Sequence, residues 1–458
     1  METREDLILG ERAARALCQQ VLSLCGTDPA EVVLIAGEQA LTRFAGNAIH
    51  QNVAERDASL YLRLYLGNRR GLASTNRIAP DSLDALVARA RANAQASPED
   101  PYFPGLAGPA DHASVPVFDE DTANCSPERR AAQVEVVCRA AREKGLNASG
   151  AFSTGYSEVA IANSAGLFAY HASSEADFQT VVMGEDASGR AQQSAWSAAD
   201  LPVEALGQEA IAGAERGRNP RPLEAGRYAV VLDPQAVEDL VNGLNASGMS
   251  GQQVLEGRSW MNGRQGQQAM STLVNIWDDG HDPSGLPLPF DYEGMPKRRV
   301  EIVSQGVVQG PVYDRRTARR AGVGSTGHAL PPNVPNFMRG VGPLAQNLFM
   351  GNGGSSLEEM IRSTERGLYI TRFWYTRLVH PRDCVVTGMT RDGVFLIENA
   401  ELTIPVKNLR FTQSYVQALA EVQAAGRETR LFKTEYGGRS IRVPALKIGD
   451  FNFTGMTV

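Results

Sequence analysis

ASLYLRLYLGN, residues 58–68, decides the kind of fold this chain adopts. Leu60, Leu62, Leu64 and Leu66 alternate with Tyr61, Arg63 and Tyr65. Successive side chains of a strand point to opposite faces, so the alternation predicts a half-buried strand. Gly67-Asn68 followed by Gly71 marks a turn into GLASTN, and a meander follows. Upstream, EVVLIAGE (31–38) and LTRFAGNAIHQN (41–52) read as further strand-like runs. Residues 5–25 carry Ala14, Leu17, Val21 and Leu24 at helical spacing, and DSLDALVARARANAQA (81–96) returns to helix.

The pattern then repeats. A segment rich in Pro, Asp and Gly (97–121) predicts a long loop or lid. Ser126-Pro127-Glu128 starts a helix with a cap, a first-turn proline and an acid at the positive end of the dipole, and Gly145 stops it. Strand candidates follow in AFSTGYSEVAIANSAGLFAYHAS and ADFQTVVMG, then an alanine-rich helix over 202–216. NPRPLEAGR, near residue 219, has linker composition. Beyond it only 234–247, 355–366 and 413–425 read as helices, and short apolar runs between Gly, Pro and Asn predict a mostly β second domain.

A chain of 458 residues is long enough for two or three cores. Its net charge of -7 argues against nucleic acid as a partner, although DRRTARR (314–320) concentrates arginines locally. No stretch approaches the roughly 18 apolar residues of a membrane span, and METREDLILGERAARAL lacks the apolar core of a signal peptide. Cys18, Cys25, Cys125, Cys138 and Cys384 are odd in number and show no C-x-x-C spacing, as expected of buried free thiols in a reducing cytoplasm.

Few residues invite chemistry. WDDGHDP packs Asp278, Asp279, His281 and Asp282 closely enough for a divalent cation, but Asp-Gly and Asp-Pro also make ordinary turns. His50, His112, His171, His328 and His380 are dispersed, none with a second histidine at i+3 or i+4. GNGGSS (351–356) precedes a helix without the context of a phosphate-binding loop, so a capped helix start is expected. TGYSE (154–158) lacks the paired glycines of a nucleophile elbow. RFWYTR places Phe373, Trp374 and Tyr375 between Arg372 and Arg377; such aromatics either stack on a peptide or fill a core.

Taken in order, the segments resemble the TldD/PmbA (modulator of gyrase) metallopeptidase family. The likeness runs through LTRFAGNAIHQN, VVLDPQAVEDLV, LEGRSWMNGRQGQQ, the stretch from Asp278 to FDYEG, the Gly310–Gly327 stretch, GLYIT and FLIENAELTIPVKNLRF. It implies an α+β protein: helices on an antiparallel sheet over 1–220, and a mostly antiparallel, barrel-like domain over 221–458 that corresponds to the family's metallopeptidase domain. It also implies a dimer that encloses a cleft or channel.

In the family's TldD-like branch, a helix after the first strand of the second domain carries H-E-x-x-x-H, and a late cysteine completes the zinc site. Two imidazoles and a thiolate hold Zn²⁺ while the glutamate takes the proton of its bound water. Here the matching positions are Asn242, Gly243 and Ser247, with Tyr436 near the cysteine's place. Asn and Ser cannot replace imidazole, Gly carries no proton, and a phenol is a poor thiolate substitute. The resemblance therefore implies a TldE/PmbA-like subunit with no zinc and no catalytic residue of its own. A TldD-like partner would supply both, and unfolded peptides would be held in part by Arg372, Trp374 and Tyr375. Two alternatives are an autonomous hydrolase that uses the WDDGHD carboxylates and His281 with Glu293, and a homodimeric peptide-binding module.

Overall fold

The computed structural model describes residues 9–335, 340–434 and 438–456. Helix α1 (Gly10–Leu24) leads into β1 (Ala30–Ala45), β2 (Ala48–Leu66) and β3 (Arg69–Thr75), closed by α2 (Pro80–Ala96). After a short α3 (Glu120–Ala123), the unit recurs as α4 (Pro127–Glu143), β4 (Asn147–Asn163), β5 (Phe168–Met183), β6 (Ser188–Ala195) and α5 (Val203–Arg216). The two meanders join through the antiparallel pair β1–β4 into one sheet of order β3-β2-β1-β4-β5-β6. Gly46 and Asn47, both at positive φ (56° and 61°), turn LTRFAGNAIHQN into a hairpin whose twist matches its strands.

Leu60, Leu62 and Leu64 are fully buried under α1 and α2. At Tyr61 the opposite face of β2 is partly covered, packed against a cluster that holds Leu288, Phe290 and Tyr292 of the second half. Arg63 lies on that side too, pairing with Glu31 and donating to the Tyr292 carbonyl at 2.7 Å. The 97–121 segment is pinned down: Arg315 and Arg319 donate to the carbonyls of Gly105 and Phe103, and Arg316 pairs with Asp100 at 2.5 Å.

The second half begins with β7 (Gly226–Leu232), α6 (Pro234–Gly248) and α7 (Gly251–Leu255). Then come β8 (Ile276–Asp278), β9 (Val300–Ser304), β10 (Val307–Val308), α8 (Arg315–Ala321) and β11 (Asn347–Met350). The run ends with β12 (Arg366–His380), β13 (Val385–Glu398), β14 (Glu401–Pro405), β15 (Leu409–Ser414), β16 (Val422–Lys433) and β17 (Ser440–Met456). Strands β7, β12, β13, β15 and β17 pair in a closed ring, parallel only between β7 and β12. Closure makes this half barrel-like, and β11, β8, β9 and β10 extend it from β17. The rings of Phe373, Phe411 and Phe451 cluster in its core, and α6 lays Val237, Leu240, Val241 and Leu244 into the same core. Each such side chain contributes about 1.5–3 kcal/mol on burial. Among the described residues no helix is long and apolar enough to cross a membrane.

Three expectations need correction. The helix expected over 413–425 is the end of β15, one short helix (Tyr415–Ala420) and the start of β16. Ser414 caps that helix by accepting from Gln417 N, but Val422, Ala424 and Ala425 pair with β17, so sheet pairing overrides the helical preference of the alanines. The helix expected over 355–366 spans only Leu357–Arg362, since Arg366 onward joins β12. It starts with a capping box of Ser356 and Glu359, in keeping with GNGGSS as a capped approach. Strand β6 was not expected: SGRAQQSA has no large apolar residue to mark a period of two.

Candidate functional site

Strand β7 delivers the chain to α6 through Asp233, whose Oδ1 accepts from Gln235 N at 3.0 Å, with Pro234 in the first turn. The face of α6 opposite the core, with Glu238, Asp239, Asn242 and Asn245, borders a cavity of about 920 Å³. Across the cavity stand Asp177, Arg190 and Gln192 of β5 and β6, and Arg372 and Thr376 of β12 form a side wall. The cavity therefore lies between the six-stranded sheet and the helix where the family's catalytic motif is expected.

The three expected positions meet three different surroundings. Asn242 is exposed on the cavity wall. Gly243 packs under the ring of Tyr415: a Cβ there would stand 2.8 Å from Cε2 and 2.9 Å from Cδ2. Ser247 is fully buried, its Oγ donating to the Gly243 carbonyl at 2.7 Å, and its hydroxyl lies against the Cys384 thiol. Burial pushes that thiol up to about 12, so it stays protonated at neutral pH. Tyr436 lies outside the described residues. An exposed amide, a glycine and a hydroxyl already bonded to its own helix do not fit a zinc ion.

Tyr415 anchors this arrangement. Its hydroxyl donates to Asp239 Oδ1 at 2.6 Å, and Thr376 Oγ1 donates to Oδ2 at 2.8 Å. Burial raises the Asp239 carboxyl above its ordinary range, and the two hydroxyls oppose that rise. Asp177 is raised by burial as well, against bonds from Ser194 (2.6 Å) and Gln192 (3.3 Å). Sequence reading missed Asp239, Tyr415, Asp177 and Arg190. The signal for Arg190 was available as Arg190, Gln192 and Ser194 at every second position, one polar face of a short strand.

RFWYTR is split by a bulge, with Tyr375 at φ 54° and a register shift between Trp374 and Arg377. Phe373 points into the barrel core, Arg372 borders the cavity paired with Asp392, and Trp374 and Tyr375 are exposed beyond it. Arg391 and Arg377 lie over their rings at 4.0 and 4.4 Å. The residues of WDDGHD are engaged separately. Asp278, fully buried, receives His328 Nε2 at 2.9 Å and the amides of Gln346 and Asn347 at 2.6 Å; burial works to raise its carboxyl, but His328 and Lys297 hold it down to about 2. Asp279 and Asp282 accept from the backbone amides of His281 and Ser284, as turn residues do. Among the described residues no three His, Cys, Asp or Glu side chains are grouped to hold a metal ion.

The fold is of the α+β class, with helices on an antiparallel sheet in the first half and a barrel-like, largely antiparallel sheet in the second. Family models match residues 30–94 as PmbA/TldA metallopeptidase domain 1, 121–218 as the central domain and 225–455 as the C-terminal domain. The chain belongs to the PmbA/TldD metallopeptidase family. It is similar to metalloprotease PmbA of Escherichia coli O157:H7, 24% identical over 409 residues, 86% of each chain. A TldD homologue of Haemophilus influenzae is 26% identical over 243 residues, 50% of this chain and 49% of its own. The crystal structure of TldE from Thermococcus kodakarensis superimposes with a TM-score of 0.86 at 19% identity, covering 96% of this chain and 99% of that one, which establishes the shared fold.

Proposed function

We propose that this chain is the non-catalytic, TldE/PmbA-like subunit of a cytoplasmic heterodimeric peptidase, in which a TldD-like partner holds zinc and the general base. The observation that carries the reading is the space at position 243: the Tyr415 ring occupies it, so a glutamate has no room to act as base. Asn242 and Ser247 add no imidazole on either side. The 221–458 half, which we take as the functional unit corresponding to the family's metallopeptidase domain, would line the channel rather than cut within it.

Unfolded peptides are the ligands that suit such a wall. Beyond Ile370, β12 pairs with β13 but no longer with β7, so residues 371–380 keep one strand edge beside the cavity. An extended peptide adds to an edge through backbone hydrogen bonds and needs no particular sequence. Arg372 at the cavity, with Trp374 and Tyr375 beyond it, would grip its side chains. The test is reconstitution with the TldD-like protein of the same host. Co-elution on a sizing column and peptide cleavage only by the mixture are expected. Self-association of this chain without the partner would favour a homodimeric peptide-binding module, and cleavage by this chain alone would favour an autonomous hydrolase.

A further inference from the structure

Arg190 stands on β6 at the cavity wall without an ion-pair partner among the described residues, while two cationic neighbours are matched. Arg372 has Asp392 (Nε to Oδ2, 2.5 Å) and Lys433 has Glu175. Neutral side chains hold the Arg190 guanidinium instead: Nη1 donates to Gln235 Oε1 at 2.8 Å, and Nη2 to Gln192 Oε1 at 2.5 Å and Gln179 Oε1 at 3.3 Å. Amide oxygens orient a guanidinium without cancelling its charge. Burial and the like charge of Arg372 push Arg190 down to about 10, against the pull of Asp392, Asp177 and Glu238, so the charge persists at neutral pH while none of these carboxylates pairs with it directly.

Two further groups on the cavity are unsatisfied. Asn245 Oδ1 and Thr434 Oγ1 are shielded from water and have no hydrogen-bond partner among the described residues; Asn245 as a whole is 4% exposed. Buried polar atoms are nearly always bonded, so a ligand with peptide-like polarity is the natural complement. The wall also carries three carboxylates: Asp177 and Asp239 are bonded by hydroxyls, and Asp177 and Glu238 act on Arg190 only through space, with no direct ion pair among the described residues.

We propose that Arg190 makes this cavity a carboxylate-binding subsite for an extended peptide, so that the preferred substrates carry either a free C-terminal carboxylate or an acidic side chain. The inference rests on the reading of this chain as a peptide-holding subunit. An oriented guanidinium fork matches a carboxylate, and a charge-assisted pair of about 1.5 kcal/mol corresponds to roughly tenfold in affinity.

The test is fluorescence anisotropy of the purified full chain with three labelled peptides: a glutamate-containing free acid, its C-terminal amide, and the free acid with glutamine for glutamate. One substitution is expected to weaken binding about tenfold, and which one identifies the source of the carboxylate. Arg190→Gln should abolish that preference and Arg190→Lys retain part of it. Equal binding of all three to the unaltered protein would overturn the proposal while leaving peptide binding intact, and needs no variant to fold. A preference that survives Arg190→Gln would overturn the assignment to this residue. Absence of binding by every peptide would overturn the peptide-holding reading as well.

Discussion

The ring of Tyr415 and the α-carbon of Gly243 are packed so closely that a methyl group at 243 would stand 2.8 Å from Cε2. The ring is not free to retreat, because its hydroxyl is bonded to Asp239 at 2.6 Å. Alanine in place of a helical glycine ordinarily gains up to about 1 kcal/mol, whereas overpacking a filled site costs about 1–3 kcal/mol. Gly243→Ala is therefore expected to lower stability, and Gly243→Glu to lower it further, as read by denaturant midpoint. A Gly243→Glu chain as stable as the unaltered one would show that the position has room for a base.

Tyr415→Phe keeps the ring and removes one hydroxyl from a carboxylate held largely out of water. Loss of such a bond costs about 1–3 kcal/mol. Burial already raises the folded Asp239 above its unfolded value, so its share of stability is full below about pH 3.9 and falls as pH rises. The variant raises the folded value further. Its deficit should be small in acid and grow toward neutrality in melting experiments.

Glu293 gives the clearest pH signature. Burial, with Asp314 and Asp291 nearby, raises its carboxyl to about 8. A carboxyl raised on folding stabilises below its unfolded value, near 4.3, and loses that contribution as pH climbs to about 8. Relative to Glu293→Gln, the unaltered protein should therefore lose stability across that window and run parallel to it outside. A difference between the two that does not change with pH would contradict the assignment.

Arg63 joins the two halves, pairing with Glu31 of the six-stranded sheet and donating to the Tyr292 carbonyl. Arg63→Met leaves Glu31 buried without its cation, a change that costs about 3–5 kcal/mol. Glu31→Gln added to Arg63→Met should recover part of that loss. A double mutant no better than the single one would show that packing, not the orphaned charge, dominates.

Much of this architecture was legible because strong periodicity survives folding. The leucines of 58–68 marked their strand, and Ser126-Pro127 marked α4, because alternation and caps are local properties. The resemblance pointed to the helix over 234–247, which the structure places on the cavity as α6. What stayed hidden depends on contacts distant in sequence. Tyr415 sits 176 residues from the Asp239 it bonds, inside a segment whose alanines imitate helix. Arg190 sits on a strand with no large apolar residue, and its isolation emerges only when Gln235 and Arg372 are brought beside it. WDDGHD looked like a ligand cluster because nearness in sequence says nothing about direction: one carboxylate is buried against His328 while two others close turns.

Elemental analysis of the separated subunits decides which chain carries the metal. After copurification with a TldD-like protein of the same host, this chain should hold far less than one zinc per molecule while that protein holds one, and peptide cleavage should stay with the zinc. One zinc bound tightly by this chain alone, together with unaided peptide hydrolysis, would make it a catalytic subunit instead.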